Sequence, residues 1–267
     1  MSQHSGSNDN GAGRVLDTEA VRAGVRELRL GSPLLYFPSI NSTNTYAASL
    51  ARGGATEGTL LVSDDQTAGR GRIGRIWKSL PGQQLSFSLV LRPAFPPHFL
   101  VMASALAVAE AITAITSLET GIKWPNDVQV DGYKICGILI ETSPGYAILG
   151  IGINVNGSLR DDPELAARAI TLADAAGHDI SREDLLIAIL CRLDTLYSSL
   201  TSGGDPAWQG LRSDWRARLV TLGRRITLLQ GEHTVTGHAE DVDANGALLL
   251  RLDGGVLQTV TWGDVQS

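Results

Sequence analysis

The chain has 267 residues, of which 43% are hydrophobic, which is enough for one full-sized domain and a small second one. A net charge of −6 argues against a protein that binds nucleic acid over its whole surface, because neutralising phosphates takes clustered Lys and Arg. No uninterrupted apolar run of membrane-spanning length occurs. The cysteines, Cys136 and Cys191, form no CxxC pair or disulfide framework, which predicts a reduced, cytoplasmic setting.

The polar stretch Met1–Gly13 has no apolar core and predicts a disordered tail, not a signal peptide. In the next two hundred residues, apolar spacing and end signals predict helices over 18–30, 45–52, 97–117, 181–200 and 206–219. Apolar alternation and turn residues predict strands over 34–40, 59–63, 85–91, 121–124 and 146–155, and a hairpin over 128–140 that turns at Asp131-Gly132. This mixed order favours an α+β fold over alternating βαβ units.

The sequence pattern changes at Gly223, after which short apolar stretches alternate with Gly, Asn and Asp turns. This pattern is typical of a small β-barrel. We therefore predict a tail over 1–15, a catalytic domain with a mixed β-sheet over 16–220, and a barrel over 221–267.

Residues 69–75 read Gly-Arg-Gly-Arg-Ile-Gly-Arg and formally contain the dinucleotide-binding pattern GxGxxG. That pattern requires a helix to begin at the glycines, but Pro81-Gly82 prevents one, so this interpretation fails. Three guanidinium groups on a flexible backbone suit a carboxylate and a phosphate lying side by side, and Trp77 could stack on a purine. A mobile surface loop carrying a core tryptophan is the alternative.

The segment Lys123-Trp-Pro-Asn-Asp127 follows the end of a predicted strand. A lysine held beside Asn126 and Asp127 can stabilise charge that develops on a phosphate. The alternative is a Pro-Asn-Asp turn with an exposed lysine. Only three of the 22 basic residues are lysines, at 78, 123 and 134, and either a need for a compact charge at these positions or chance explains them.

Two predicted strands carry glycines that leave bare backbone. Gly137 lies in the strand Lys134–Glu141, and two more glycines lie in Gly150–Asn154. Such positions indicate close packing of a ligand or another strand. Asn154 is a polar residue in an apolar run and needs a hydrogen-bond partner.

Taken together, these segments resemble the biotin–protein ligase family. Five of its motifs occur here in family order: Ser42-Thr43-Asn44, Gln66 with Gly69–Trp77, Lys123–Asp127, Lys134–Glu141 and Gly150–Asn154. The resemblance covers about residues 34–267. It implies a catalytic domain of the biotin/lipoate ligase type followed by an SH3-like barrel.

The resemblance implies that ATP and Mg²⁺ activate biotin to biotinyl-5′-adenylate. The biotin is then transferred to a lysine in the biotin carrier domain of acetyl-CoA carboxylase or a related carboxylase. The implied biotin-binding residues are Ser42, Thr43, Asn44, Gln66, Arg70, Gly71, Arg72 and Lys123. The implied nucleotide-binding residues are Arg70, Arg75, Trp77, Lys134 and Asn154. Lys123 and Arg72 would be catalytic, and no residue is implied as a metal ligand.

Some family members carry an N-terminal DNA-binding domain, but only about thirty residues precede the catalytic part here, so we expect no DNA partner. Monomers and homodimers both occur in the family, and an edge strand could pair with the carrier domain. The nearest rival function is a lipoate or octanoate ligase, which shares the catalytic fold. A non-catalytic biotin sensor is the rival from another class.

Overall fold

The computed structural model describes residues 14–266, so residues 1–13 of the predicted tail over 1–15 lie outside the described residues. Within them the helices are α1 (Thr18–Gly24), α2 (Thr43–Arg52), α3 (His98–Thr116), α4 (Pro163–Ala166), α5 (Leu172–Ala176), α6 (Arg182–Ser202) and α7 (Gly204–Ala217). The strands before residue 160 are β1 (Leu34–Phe37), β2 (Leu60–Ser63), β3 (Leu85–Leu91), β4 (Gly121–Lys123), β5 (Asp127–Val130), β6 (Tyr133–Ser143) and β7 (Tyr146–Ile153). The C-terminal strands are β8 (Arg225–Gln230), β9 (His233–Val242), β10 (Leu248–Leu252), β11 (Leu257–Val260) and β12 (Asp264–Gln266).

The seven N-terminal strands form one sheet in the order β1-β2-β3-β7-β6-β5-β4. Strands β1 and β2 run parallel, and every other pair is antiparallel. The sheet is therefore mixed, which confirms the predicted α+β class. The hairpin at Asp131-Gly132 is also confirmed, with both residues at positive φ.

The two faces of this sheet are covered differently. Helix α3 packs on one face and against α6, and inward side chains such as Leu89 and Ile151 join it in the main core. On the other face α2 covers only part of the sheet, where Ala47, Leu61 and Ile148 form a small separate cluster. Because α2 is only ten residues long, the rest of this face is left to the loop 66–77.

Helices α3 and α6 have the length and apolar composition of a membrane-spanning helix. In the fold they pack against each other, and 67% of the apolar window of α3 and 39% of that of α6 are buried. Core helices pass the same test of composition, so these two are weak evidence for a membrane span. The absence of a membrane partner stays a prediction.

Some predicted boundaries are wrong for local reasons. Helix α1 ends at Gly24, six residues before the predicted end, and helix α2 begins at Thr43, two residues before the predicted start. The short helices α4 and α5 were not predicted. Each begins with a capping side chain, Asp162 for α4 and Thr171 for α5.

The five C-terminal strands form an antiparallel sheet in the order β11-β10-β9-β8-β12. The short apolar stretches that follow Gly223 in the sequence form four of these strands, and the fifth is the three-residue β12. Closure of the sheet into a barrel stays a prediction. The sheet is joined to the lysine segment through Trp124, whose ring Nε1 donates to the carbonyl of Gly246 at 2.9 Å and whose backbone N–H donates to Oγ1 of Thr221 at 2.9 Å.

Candidate active site

The candidate site lies on the face of the seven-stranded sheet that α2 leaves partly uncovered. Paired residues on adjacent antiparallel strands point to the same face. Following the register from strand to strand therefore gives one row of neighbours, Lys123, Asp127, Gly137, Gly152, Ser86 and Ser63. The row brings the lysine of one motif beside the glycines of two others.

The indole of Trp77 packs on the bare backbone at the middle of this row. A Cβ added at Gly152 would lie 2.5 Å from Cε2 of Trp77, and one at Gly137 would lie 3.2 Å from its Cζ3. The ammonium of Lys134 lies 5.8 Å from the centre of the indole. The ring N–H of Trp77 and the hydroxyl of Ser86 are buried, and neither has a hydrogen-bond partner within residues 14–266. The glycines are thus required by the close approach of an aromatic ring.

One register step away, the glycine–side-chain relationship repeats with Asn44. A Cβ at Gly150 would lie 2.1 Å from Oδ1 of Asn44, which accepts a hydrogen bond from the Ser88 hydroxyl at 2.6 Å. The Ser88 hydroxyl also lies 2.7 Å from Oγ1 of Thr43. Oγ1 of Thr43 donates to Oε1 of Gln66 at 3.1 Å, and its backbone N–H donates to the same oxygen at 2.9 Å.

This cluster has more acceptors than protons. The carbonyl oxygens of Asn44 and Gln66 only accept, while the hydroxyls of Ser88 and Thr43 carry one proton each. With the Thr43 backbone N–H, three protons cannot serve all four contacts at once, so oxygen lone pairs remain that can accept N–H groups from a ligand.

The loop from Gln66 to Trp77 folds as a small hairpin over this face. The N–H of Trp77 donates to the carbonyl of Gly69 at 2.9 Å, and a Cβ at Gly69 would lie 2.4 Å from the carbonyl of Trp77. At the tip Ile73 has φ 54°, a left-handed conformation that is unusual for a β-branched residue. The hairpin contains no α-helix, which agrees with rejecting a dinucleotide-binding turn. An open cavity of 660 Å³ lies between the loop, Leu139 and Glu141.

Basic groups gather at the Lys123 end of the row. Burial lowers the pKa of the Lys123 ammonium, while the carboxylate of Asp127 acts to raise it. Asp127 also forms an ion pair of 2.8 Å with Lys134. Burial likewise lowers the pKa of Arg72, whose guanidinium donates to Oδ1 of Asn126 at 2.8 Å. Desolvated cations of this kind attract an anionic ligand.

The side chain of Arg70 leaves the loop in the opposite direction and forms an ion pair with Glu141 on β6. Glu141 also accepts a hydrogen bond of 2.9 Å from the Asn44 amide. Arg75 forms an ion pair with Asp264 on β12, so the C-terminal sheet reaches the loop. Together these contacts attach the loop to both sheets.

The structure brings most of the predicted site residues to this face or to the loop above it: Thr43, Asn44, Gln66, Arg70, Gly71, Arg72, Arg75, Trp77, Lys123 and Lys134. Ser42 is buried at the start of α2. Asn154 is also buried, and its amide bonds to Gln84 at 3.2 Å and to the carbonyl of Lys134 at 3.4 Å. Asn154 therefore supports the strand of Lys134.

Sequence reasoning assigned no role to four residues that belong to this arrangement, although Glu141 ends one of the motifs: Ser86, Ser88, Glu141 and Asp264. The alternation of Ser86 and Ser88 with apolar residues in β3 was visible and places both on one face. The contact of Asp264 with the loop had no local signal, because it joins residues almost two hundred positions apart.

Residues 36–158 match the biotin/lipoate A/B protein ligase family, and residues 221–266 match the biotin protein ligase C-terminal domain. The bifunctional ligase/repressor BirA of Bacillus subtilis is 36% identical over 91% of this chain and 77% of its own length. The chain belongs to the biotin protein ligase family.

Two further members of this family are similar to the chain over most of its length. The biotin–[acetyl-CoA-carboxylase] ligase of Mycobacterium tuberculosis is 34% identical over 84% of this chain and 85% of its own length. A biotin protein ligase from Aquifex aeolicus, solved in complex with biotin and ATP, is 31% identical. It superposes with a TM-score of 0.77 and covers 88% of this chain and 98% of its own.

Proposed function

We propose that this protein activates biotin with ATP to biotinyl-5′-adenylate and transfers the biotin to a lysine of a carboxylase's biotin carrier domain. The observation that carries the proposal is the arrangement of one sheet face, with an acceptor-rich cluster at Asn44 and a cluster of partly buried cations at Lys123. Membership of the biotin protein ligase family supports the same reaction.

The acceptor-rich cluster suits the ring system of biotin. A cyclic urea presents two N–H donors and one carbonyl, and the oxygens of Thr43, Asn44, Gln66 and Ser88 have lone pairs left to accept them. Ser42 completes this end of the pocket. We assign the ring to this end because burial leaves few competing waters there.

The cationic end suits the reacting groups. A carboxylate oxygen of biotin attacks the α-phosphorus of ATP, the bond to the bridging oxygen breaks, and pyrophosphate leaves. Both reactants are anions, so Lys123 lowers the barrier by holding them together and by stabilising the charge that builds on the phosphate. Arg72 closes over the pair, and Lys134 and Arg75 meet the phosphates.

The second half-reaction needs an amine from outside the chain. A neutral lysine amine of the carrier domain attacks the acyl carbon of the adenylate, and AMP leaves as the amide bond forms. The adenylate reacts readily with water, so the loop over residues 66–77 shields it until the acceptor arrives. Trp77 is half-buried against Gly137 and Gly152, and we assign its indole to stacking on adenine.

Mg²⁺ fits this site as a partner of the ATP phosphates. No group of three or more His, Cys, Asp or Glu side chains that could hold a metal occurs in the part of the chain that the structure describes. Mg²⁺ commonly binds through substrate phosphates with one or two carboxylates, so a dedicated cage is not needed. Asp127, beside Lys123 and Lys134, is the carboxylate best placed to assist, and the ion would neutralise phosphate charge.

The domain boundary and the cellular location are further parts of the proposal. We place the boundary between the catalytic and C-terminal domains near residue 220, just before β8. The cysteines at 136 and 191 are both free thiols, which supports a cytoplasmic setting.

The deciding experiment is ATP-dependent transfer of biotin to a purified biotin carrier domain, with lipoate and octanoate as competing acids. Labelling by biotin alone is expected. Labelling by lipoate or octanoate would assign the protein to the sister activity. Binding of biotin without release of pyrophosphate would make it a sensor.

A further inference from the structure

One carboxylate oxygen of Glu141 accepts hydrogen bonds from two donors. Its Oε2 accepts from Nδ2 of Asn44 at 2.9 Å and from the guanidinium of Arg70. Asn44 belongs to the acceptor-rich cluster, and Arg70 belongs to the loop. One oxygen therefore joins the fixed pocket to the segment that covers it.

The contacts continue from Asn44 into the sheet and return to the loop. Asn44 accepts from Ser88, Ser88 contacts Thr43, and Thr43 donates to Gln66 at the start of the loop. Arg70 lies four residues after Gln66. The chain of hydrogen bonds thus begins and ends on the same loop and passes through the pocket between them.

Burial differs along this chain of contacts. Ser88 is fully buried and Asn44 is 4% exposed, while the side chains of Arg70 and Glu141 are 45% and 36% exposed. Bulk water does not replace a hydrogen bond that is lost in the buried cluster. A change in the position of Asn44 therefore alters its hydrogen bond to the Glu141 carboxylate. Glu141 also lines the 660 Å³ cavity beneath the loop. The exposed ion pair between Arg70 and Glu141 is therefore the contact in this chain that can break when the loop opens.

We propose that Glu141 is a positioning residue that makes closure of the loop depend on the state of the biotin pocket. When the ring occupies the pocket, Asn44 is held in place and keeps Glu141 aligned to receive Arg70. The loop then closes and retains the adenylate. This inference rests on the proposed function, because it concerns retention of the intermediate that the reaction forms.

The chemistry of Glu141 suits this role. A carboxylate only accepts, so the same oxygen can receive a neutral amide and a cation. A glutamine in its place would keep the size but lose the charge, and its NH₂ group would compete with Arg70. An exposed ion pair that only stabilises the fold would have little effect on either step of the reaction.

The test measures how long the adenylate stays bound. Labelled biotin and ATP are mixed with enzyme in the absence of acceptor, free substrates are removed, and loss of labelled adenylate is followed. Glu141→Gln is expected to speed this loss about two- to fivefold, the size expected for one exposed ion pair worth up to about 1 kcal/mol. Formation of adenylate is expected to slow by a smaller factor.

A double-mutant cycle separates positioning from a general defect. Arg70→Met should also speed the loss, and Glu141→Gln should add nothing in the Arg70→Met background. Asp253→Asn is the matched control, since it breaks the exposed Arg225–Asp253 pair in the C-terminal sheet. It should leave the rate of loss unchanged.

Unchanged loss in Arg70→Met, or effects of the two substitutions that simply add, would overturn the role of Glu141. If Glu141→Gln fails to fold, as its melting temperature would show, Arg70→Met in the exposed loop still decides the first point. Failure of the proposed function would look different, because the parent enzyme would then form no adenylate.

Discussion

The guanidinium of Arg75 and the carboxylate of Asp264 form an ion pair that joins the loop of one sheet to the last strand of the other. Asp264 is the less exposed partner, with 18% of its side chain accessible against 53% for Arg75. The Asp264 charge also acts to raise the pKa of Lys123 and of Arg72. The C-terminal sheet thus contributes a charge to the catalytic end of the site.

Replacing Asp264 with Asn should loosen the loop in the ligand-free protein. Loss of one partly exposed ion pair is worth about 1 kcal/mol, which corresponds to roughly fivefold more opening. Trypsin cleavage after the loop arginines, followed by mass spectrometry, reports this opening. Asp253→Asn is again the control, and equal cleavage in the two variants would contradict a holding role for Asp264.

Substitutions of the two glycines in β7 should each affect the binding of a different ligand. Gly150→Ala would displace Asn44 and weaken biotin binding, while Gly152→Ala would displace Trp77 and raise the KM for ATP. Overpacking costs about 1–3 kcal/mol, or roughly 5- to 150-fold in affinity.

Biotin titration and ATP kinetics on both glycine variants check this separation. Gly210→Ala is the control, because an added Cβ there meets open space on α7. If Gly150→Ala and Gly152→Ala impair both ligands equally, the assignment of ring and nucleotide ends is wrong.

The sequence allowed the fold class and the glycine positions to be predicted, but not how they meet. Each of Gly137 and Gly152 indicated a strand position without a side chain. That the two lie side by side depends on the register between strands that are distant in sequence. Register is settled by packing of the whole sheet, which a single strand does not encode. The same reason explains why Asp264 escaped prediction.

Glu141 shows a different limit. Glu141 follows a run of apolar residues, so the sequence alone indicates a charged residue at the solvent-exposed end of a strand. Only the pairing that brings Asn44 beneath β7 and Arg70 over β6 gives it two donors. Similarly, the helix that carries Thr43 and Asn44 begins two residues earlier than predicted, which fixes both side chains in its first turn.

Lys123→Met should abolish most adenylate formation while the protein stays folded. Removing one electrostatic stabiliser of a transition state lowers kcat by about 10²–10³-fold. Lys78→Met is the matched control, because Lys78 pairs with Asp162 outside the row of site residues. Pyrophosphate release and melting temperature are the two readouts. Turnover of Lys123→Met near the parent rate would remove Lys123 from the mechanism.

The pH dependence of adenylate formation should depend on Asp127. Lys123 acts as a cation, and burial lowers its pKa, so activity should fall with rising pH earlier than an ordinary lysine would require. The Asp127 carboxylate acts to raise that pKa. Asp127→Asn should therefore move the alkaline decline to lower pH.

Single-turnover pyrophosphate release between about pH 7 and pH 10.5, the range below an unperturbed lysine pKa, checks this shift. Asp162→Asn is the control, since it removes the carboxylate that pairs with Lys78 and should leave the decline where it is in the parent. The sign is the informative quantity. A decline that moves to higher pH in Asp127→Asn would mean that a different group, which Asp127 does not hold in its charged form, limits the reaction.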